Sequence, residues 1–445
     1  MQQTSAETPI CPAGRTDRNL GPLTNVLRLP TSHSEFMDSR RSQMNSQTGI
    51  AGGRDSIDAH FTTGVLHGHY DSRFEDLVAA LAEEVTTGGE LGAAIAIDVD
   101  GELVVDIWGG HADKAKTREW SEDTIVNVFS STKNVTALAA LMLVDRGLID
   151  PFAPVAKYWP EFAANGKQDI EVRHILSHTS GVSGWEMPFT LEDVYDWKKA
   201  TSQLAAQAPW WPPGTASGYH AVTIGHLVGE IVRRVTGTTL KQFVQRELAE
   251  PLGADLQIGA RPEDDHRIAE LVPPPPLDVP LDAIPHDHPM YKTFAAIPPA
   301  SETALAAETT AWRRAEIGSA NGHANARSLV RALSPIALGG MASGIQILGP
   351  DTIDLIFEEQ AIGTDLVLAM PARWGIGFAL PHPEAVPDIP DERVCYWGGW
   401  GGSMAVMHPD RRTTFAYVMN KMGQVTSAGT ERTRKYTRLI YQGLG

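Results

Sequence analysis

The sequence predicts an α/β (α+β) fold in which strands from both ends of the chain form one sheet, with a mainly helical segment inserted between them. Alternating apolar residues near the N-terminal side predict a hairpin, with strands at 94–99 and 103–108 and a turn at Asp100-Gly101. Near the other end, strands are predicted at 374–380, 393–397, 403–407 and 413–419. Between the two groups, helical patterns alternate with loops rich in Pro and Gly.

Helices are predicted where apolar residues recur every three or four positions. They cover residues 74–88, 130–147, 222–237 and 431–442, and the first three end at a glycine. The second is apolar on nearly every side, which is typical of a helix buried in the core. The proline run at 273–276 predicts an extended surface loop, with a Pro-rich recognition ligand as the alternative.

The positions of the strands divide the chain into three predicted parts. Residues 1–60 are rich in polar residues and glycine without sustained periodicity, which predicts an irregular N-terminal extension. Residues 61–150 and 371–445 are predicted to form the sheet lobe, and 151–370 a mainly helical lobe. An active site is expected in the groove between the two lobes.

The composition is that of a globular protein and excludes several classes of function. The chain has 445 residues, of which 42% are hydrophobic, and a formal net charge of −17. This charge repels nucleic acids and anionic membranes, so neither is an expected partner. Cys11 and Cys395 are far apart, and no Cys/His cluster has metal-ligand spacing, so no disulfide framework, metal or other cofactor is expected.

Two further absences in the sequence concern membranes and export. No apolar run is long enough to span a bilayer, and the first residues contain no run typical of a signal peptide. These observations predict a cytoplasmic protein with reduced thiols. Nothing in the sequence indicates an oligomeric state.

Ser130 and Lys133 lie where a polar stretch meets the most apolar predicted helix. Side chains at positions i and i+3 share a helical face, so the Lys133 amine can reach the Ser130 hydroxyl. The positive end of the helix dipole favours an oxyanion there, and a serine beside an amine is a nucleophile with its own base. Lys133 is the only lysine with a serine three positions before it. An N-capping serine followed by a solvated lysine is the alternative.

Tyr219 ends a turn-rich segment, 211–220, immediately before the helix predicted at 222–237. A phenol can relay a proton when a neighbouring cation stabilises its phenolate. An ordinary aromatic side chain at a helix start is the alternative. His220 is a second candidate base, although a side chain adjacent in sequence points to another side. His178 is interpreted as a structural histidine that holds its loop.

A glycine-rich segment, 395–403, joins two of the predicted strands. Its four glycines allow a ligand to approach the backbone, whose amides can bind an oxygen atom. A glycine-rich hairpin turn is the alternative, although this segment is longer than a hairpin requires.

The order and context of these motifs resemble the serine β-lactamase-like superfamily, which includes class C β-lactamases, D-alanyl-D-alanine carboxypeptidases and family VIII carboxylesterases. Ser130-Ser131-Thr132-Lys133 matches its Ser-x-x-Lys motif, and Tyr219 matches its catalytic tyrosine. Trp397-Gly398-Gly399 matches the Trp-Gly-Gly that family VIII esterases carry where lactamases have Lys-Thr-Gly. The segment 175–181 is similar to a structural signature of the superfamily. The resemblance begins near Val65 and implies a β-lactamase/D,D-peptidase-like fold with an antiparallel sheet.

The resemblance also implies roles for individual residues. Ser130 would attack an acyl carbonyl, while Lys133 and Tyr219 accept and relay its proton. Burial would lower the pKa of Lys133 toward neutrality, as a base requires. The backbone amides of Ser130 and Trp400 would hold the oxyanion. The candidate substrate-binding residues are Trp397, Gly398, Gly399 and His220.

Two departures from the superfamily favour a neutral ester over an antibiotic as substrate. Position 221 is Ala where Asn is frequent, and Trp397 replaces the cation of the lactamases. The chain also lacks Gly-x-Ser-x-Gly, which excludes the ordinary α/β-hydrolase elbow. The predicted function is therefore a serine carboxylesterase that hydrolyses small neutral esters. An acyltransferase, a β-lactamase or D,D-peptidase, and a non-catalytic binding module are the alternatives.

Overall fold

Strands from both ends of the chain meet in one sheet. The computed structural model describes residues 61–62, 65–274, 283–297, 300–424 and 429–445. Within these residues the strands are β1 (Phe61–Thr62), β2 (Leu66–Tyr70), β3 (Gly92–Val99), β4 (Glu102–Gly110), β5 (Val126–Asn127), β6 (Leu256–Ile258), β7 (Gly322–Ala324), β8 (Met341–Ala342), β9 (Ile345–Gln346), β10 (Ala361–Thr364), β11 (Pro371–Trp374), β12 (Cys395–Gly398), β13 (Met404–His408) and β14 (Thr413–Met419).

In the part of the chain that the structure describes, the main sheet has seven strands in the order β1-β2-β4-β3-β14-β13-β12. Every neighbouring pair in it is antiparallel. Strand β14 pairs with β3 from Thr413 opposite Val99 to Met419 opposite Ala93, which joins the two ends of the chain. The remaining strands form smaller sheets, of which β5-β7-β6 lies next to the site described below.

Some helices in the described residues pack on the main sheet, and most of the others lie in the segment between β4 and β12. The described helices are α1 (Glu75–Thr87), α2 (Thr132–Asp145), α3 (Val172–Leu176), α4 (Leu191–Tyr195), α5 (Trp197–Ala206), α6 (Thr223–Thr236), α7 (Leu240–Val244), α8 (Glu250–Leu252), α9 (Pro289–Phe294), α10 (Ala300–Ala307), α11 (Thr310–Arg314), α12 (Ala326–Ala337), α13 (Pro350–Ile356) and α14 (Glu431–Leu444). Helix α12 packs on β3, β13 and β14, and α1 packs on α14.

Both faces of the sheet are buried. Successive side chains of a strand point to opposite faces, so each strand contributes to the apolar cluster on either side. On β3, Ala94 and Ala96 belong to the apolar cluster that contains α2 and α12. Ala93, Ile95 and Ile97 of the same strand belong to the cluster that contains α1 and α14. Two helical layers therefore enclose the sheet, which confirms the predicted fold class.

Several elements agree closely with the sequence-based predictions. The hairpin β3–β4 turns at Asp100 and Gly101, both with positive φ, as a two-residue hairpin turn requires. Helices α1 and α6 end at Gly88 and Gly237, which adopt the left-handed conformation. Helix α2 is buried on all sides from Thr132 to Leu143.

The prediction of a strand at 374–380 is wrong. Strand β11 ends at Trp374, and the chain then turns through Gly377, whose φ is +92°. Gly377 lies against helix α2, where a Cβ atom would come within 2.9 Å of the Ala137 Cβ. The apolar side chains of Ile376 and Phe378 are buried in the α2 cluster, so they reflect core packing rather than strand pairing.

Other predictions fall partly or wholly outside the described residues. The extension predicted at 1–60 lies outside them, as do the last two prolines of the run at 273–276. The division into lobes at 150 and 370 stays a prediction. No described helix combines the length and apolarity needed to cross a bilayer, and the cytoplasmic location stays a prediction.

Candidate active site

Ser130 lies in the tight turn between β5 and α2. The preceding residue, Phe129, has a φ of +43°, a strained conformation for a bulky side chain. The Thr132 hydroxyl stabilises this turn by donating a 2.5 Å hydrogen bond to the Phe129 carbonyl. Helix α2 begins at Thr132, so Ser130 lies just before it rather than in its first turn. The Lys133 amide donates to the Ser130 carbonyl at 2.9 Å and keeps the two residues on one side.

The Lys133 amine is buried against three oxygen atoms. Its Nζ lies 3.0 Å from Ser130 Oγ, 2.7 Å from the Ala221 carbonyl and 2.9 Å from the Ser319 carbonyl. Burial lowers the pKa of Lys133 well below its usual value. A neutral amine has two N–H donors and one lone pair. With the two carbonyls taking the donors, the lone pair is left for the Ser130 hydroxyl.

Tyr219 lies on the other side of the lysine. The Lys133 Nζ is 4.7 Å from the centre of the phenol ring, and the phenol oxygen accepts a 3.1 Å hydrogen bond from Trp397 Nε1. Burial raises the pKa of Tyr219 above its usual value, while the Ser130 side chain and the Trp397 indole act in the opposite direction. The phenol is therefore protonated at rest and suited to passing a proton on.

Trp397 contacts Tyr219 and a second tryptophan. Its ring centre lies 5.1 Å from that of Tyr219 and 4.8 Å from that of Trp374. The side chain is half-buried. The sequence predicted Trp397 as a substrate-binding residue, and the structure adds a hydrogen bond from its indole to the phenol oxygen of Tyr219.

The Ser130 and Trp400 amides are both available to a ligand. Within the part of the chain that the structure describes, neither amide donates a hydrogen bond. The loop after Trp397 lies against the Ser130 turn, since a Cβ atom on Gly399 would lie 3.2 Å from the Ser130 nitrogen. The Trp400 ring packs edge-on against Phe129, with ring centres 5.0 Å apart. Two free donors thus lie on adjoining turns.

The structure does not support the substrate-binding role considered for His220. Its side chain is fully buried, with Nδ1 2.7 Å from the Gly218 carbonyl and Nε2 2.6 Å from Ser180 Oγ. Burial lowers the pKa of His220 to about 4. His178 accepts a 3.0 Å hydrogen bond from the His220 amide. Both rings therefore stabilise the loops behind Tyr219.

The family model described as Beta-lactamase matches residues 74–437 of this chain, well over half of its length. The chain belongs to the Beta-lactamase family. The resemblance found in the sequence is thereby confirmed, and the match covers all the candidate site residues from Ser130 to Trp400.

Several known proteins are similar to this chain over most of its length. The Mycobacterium tuberculosis protein named Esterase/beta-lactamase LipL is 35% identical over 367 residues, which cover 80% of this chain and 83% of the relative. A crystal structure described as a family VIII carboxylesterase is 37% identical, with a TM-score of 0.79, covering 85% of this chain and 99% of that one. A penicillin-binding protein homologue from Caulobacter crescentus is 36% identical, with a TM-score of 0.76 and the same coverage.

Asp365, which no sequence pattern indicated, holds the Tyr219 segment of this Beta-lactamase family site. Its carboxylate is fully buried, and Oδ1 accepts hydrogen bonds from the amides of Tyr219 (2.9 Å), Val367 (2.9 Å) and Leu368 (3.0 Å). The carboxylate fixes the backbone of Tyr219. A single acidic residue 146 positions away from the tyrosine has no local signal that could reveal this contact.

Proposed function

We propose that this protein is a serine carboxylesterase that hydrolyses small neutral esters through an acyl-enzyme on Ser130. The observation that carries the proposal is the Lys133 amine, buried and 3.0 Å from the Ser130 hydroxyl with two carbonyls on its other sides. The names of the relatives support it, since LipL is called an esterase and the solved structure a family VIII carboxylesterase. The Ser-x-x-Lys motif is thus the catalytic motif.

The proposed reaction has two steps, acylation of Ser130 and deacylation by water. Ser130 Oγ attacks the ester carbonyl, and its proton passes to Lys133 and Tyr219, which act as one unit. The amides of Ser130 and Trp400 stabilise the oxyanion of the tetrahedral intermediate. When the intermediate collapses, the departing alcohol receives the proton and the acyl group stays on Ser130. Water then attacks the acyl-enzyme in the same way, and the carboxylic acid leaves.

The acyl-enzyme can also pass its acyl group to an alcohol instead of water. This alternative gives the acyltransferase reaction on the same residues. Adding a primary alcohol to an ester hydrolysis assay distinguishes the two, because transfer yields a new ester while hydrolysis yields only the acid. The small-molecule ester is the proposed partner in either case.

The unmodified protein is expected to hydrolyse neutral esters far better than cephalosporins. Trp397 stands where lactamases place a cation, and a charge-assisted hydrogen bond to a carboxylate is worth about 1.5 to 3 kcal/mol, or about 10- to 150-fold in affinity. An uncharged ester has no carboxylate for such a cation to bind, so its affinity does not depend on the cation. Parallel kcat/KM measurements on p-nitrophenyl butyrate and a chromogenic cephalosporin test this. A cephalosporin value equal to the ester value would contradict the esterase proposal.

Replacing Asp365 with alanine is expected to lower kcat by about 10- to 100-fold, because misplacing a catalytic group by about 1 Å can cost that much. Asp365→Asn is the matched control, since its side-chain oxygen can still accept from the Tyr219 amide. In the Tyr219→Phe background, Asp365→Ala should cost little more. An equal loss in both backgrounds would show that Asp365 acts on overall folding and not through Tyr219.

A further inference from the structure

Two buried serines connect the Ser130 turn to the glycine-rich loop. Ser403 Oγ donates a 2.8 Å hydrogen bond to the Val128 carbonyl and lies 2.9 Å from Ser131 Oγ. Each hydroxyl has one proton to donate. Because the Ser403 proton is used on Val128, Ser131 must donate to Ser403. These three groups are called the serine bridge below, and both serine side chains are almost inaccessible to solvent.

The serine bridge joins the two segments that carry the amides assigned to the oxyanion. Ser131 follows Ser130 in the chain, and Ser403 closes the loop that carries Trp400. The Gly399 amide donates to the Ser403 carbonyl at 2.7 Å, and the Gly402 amide donates to the Gly399 carbonyl at 3.0 Å. Both amides are therefore attached to the bridge through short stretches of ordered backbone.

Close approach of the two turns depends on Gly399. A Cβ atom there would overlap the Val128 carbonyl and the Ser403 hydroxyl, which are the acceptor and the centre of the serine bridge. Asn134 adds a second connection, since its side-chain amide donates to the Ser131 carbonyl at 3.0 Å and the Trp397 carbonyl at 3.1 Å. Asn134 thus connects the Trp397 end of the loop to the Ser130 turn, and the bridge connects the Ser403 end.

We propose that the serine bridge sets the spacing between the Ser130 and Trp400 amides, so that Ser131 and Ser403 are positioning residues for oxyanion stabilisation. The inference rests on the proposed function. An oxyanion-binding donor must lie about 2.7 to 3.1 Å from the position that the oxyanion occupies, and losing one donor costs about 100- to 1,000-fold in kcat. Loosening the spacing should cost less than losing a donor outright.

Ser403→Ala and Ser131→Ala are expected to lower kcat for a p-nitrophenyl ester by about 10- to 100-fold with little change in KM, because the oxyanion exists only during the reaction. Ser403→Ala removes both hydrogen bonds of the bridge, whereas Ser131→Ala leaves the bond from Ser403 to the Val128 carbonyl, so Ser131→Ala should cost the less of the two. The double variant should be scarcely worse than Ser403→Ala alone. Ser334→Ala is the matched control. Ser334 is a buried serine in α12 whose hydroxyl, among the described residues, bonds within its own helix alone, to the Arg331 carbonyl at 3.4 Å.

A thionoester provides a readout that a general structural role would not move. Its carbonyl sulfur is larger than oxygen and a weaker hydrogen-bond acceptor, so two amides at a fixed spacing discriminate against it. The ratio of ester to thionoester kcat should be high in the unmodified protein and in Ser334→Ala. It should fall in the two bridge variants, because their amides can move apart.

The outcomes separate the serine bridge from the proposed function. Failure of the unmodified protein to form a fluorophosphonate adduct on Ser130 would refute the function and the bridge together. If it forms the adduct and the folded bridge variants keep both kcat and the thionoester ratio, only the bridge is refuted. Loss of kcat with an unchanged ratio also refutes it. Should Ser403→Ala not fold, Ser403→Cys, of similar shape and weaker as a donor, replaces it.

Discussion

Replacing Ser130 with alanine is expected to abolish ester turnover and covalent labelling by a fluorophosphonate, with kcat falling by about 10⁶ as for central members of comparable catalytic units. The physical reason is that the variant removes the hydroxyl held 3.0 Å from the Lys133 amine. Intact-mass analysis after labelling measures the result directly. The Ser130 side chain is only half-buried, so the variant should unfold at the same temperature as the unmodified protein.

Ser334→Ala serves as the control for Ser130→Ala and should label fully. If Ser130→Ala still took up one equivalent of the fluorophosphonate, another residue would be the nucleophile. Peptide mapping of that adduct would identify it.

Lys133→Met and Tyr219→Phe are each expected to lower kcat by about 10⁴- to 10⁶-fold, and the double variant should be scarcely slower than either. Both side chains handle the same proton, so removing one leaves the other without a function. Methionine matches the length of the buried lysine and limits the cavity that alanine would leave. Independent, multiplying losses would show that the two residues have separate roles. An active Tyr219→Phe variant would remove the tyrosine from the proton path.

The same proton path predicts a pH dependence. Lys133 works as a base only when it is neutral, and burial lowers the pKa of Lys133. The value of kcat/KM should therefore rise as pH increases through this lowered pKa, and the rise should be complete well below the pH range in which an exposed lysine titrates. The rise should persist in Ser334→Ala. A rise centred in the ordinary lysine range would contradict the buried, neutral amine.

The parts of the fold that could be predicted from the sequence are those that depend on local patterns. The turn at Asp100-Gly101 and the glycine that ends α6 need only their own neighbours, and both were predicted correctly. The prediction of a strand at 374–380 was wrong because a turn places these apolar residues against α2. Their alternation in the sequence results from this tertiary packing and not from strand pairing.

In the candidate site too, the residues that could be predicted are those marked by a local pattern or by the family resemblance. Ser130 lies just before α2 and not on its face, but the turn that leads into the helix keeps the three-residue spacing, so this spacing predicted the contact with Lys133. The positions of Tyr219 and Trp397 came from the family resemblance, and the hydrogen bond between their side chains was not expected. Asp365 and the serine bridge depend on contacts between distant segments. Ser131 and Ser403 are 272 positions apart. Ser131 occupies a variable position of the Ser-x-x-Lys motif and Ser403 ends the glycine-rich segment, so neither motif indicates the contact between them.

The central place of β14 in the main sheet has a consequence for the synthesis of this protein. A growing chain carries Ser130 and Lys133 long before it carries β14, whose partner β3 lies near the other end of the sequence. The Asn420 side chain, just after β14, accepts a 3.0 Å hydrogen bond from the Gly92 amide across 328 positions. Such distant pairing is slow to form. A chain that ends before β14 cannot form this pairing, and we expect fluorophosphonate labelling during refolding to appear only once β14 has paired with β3.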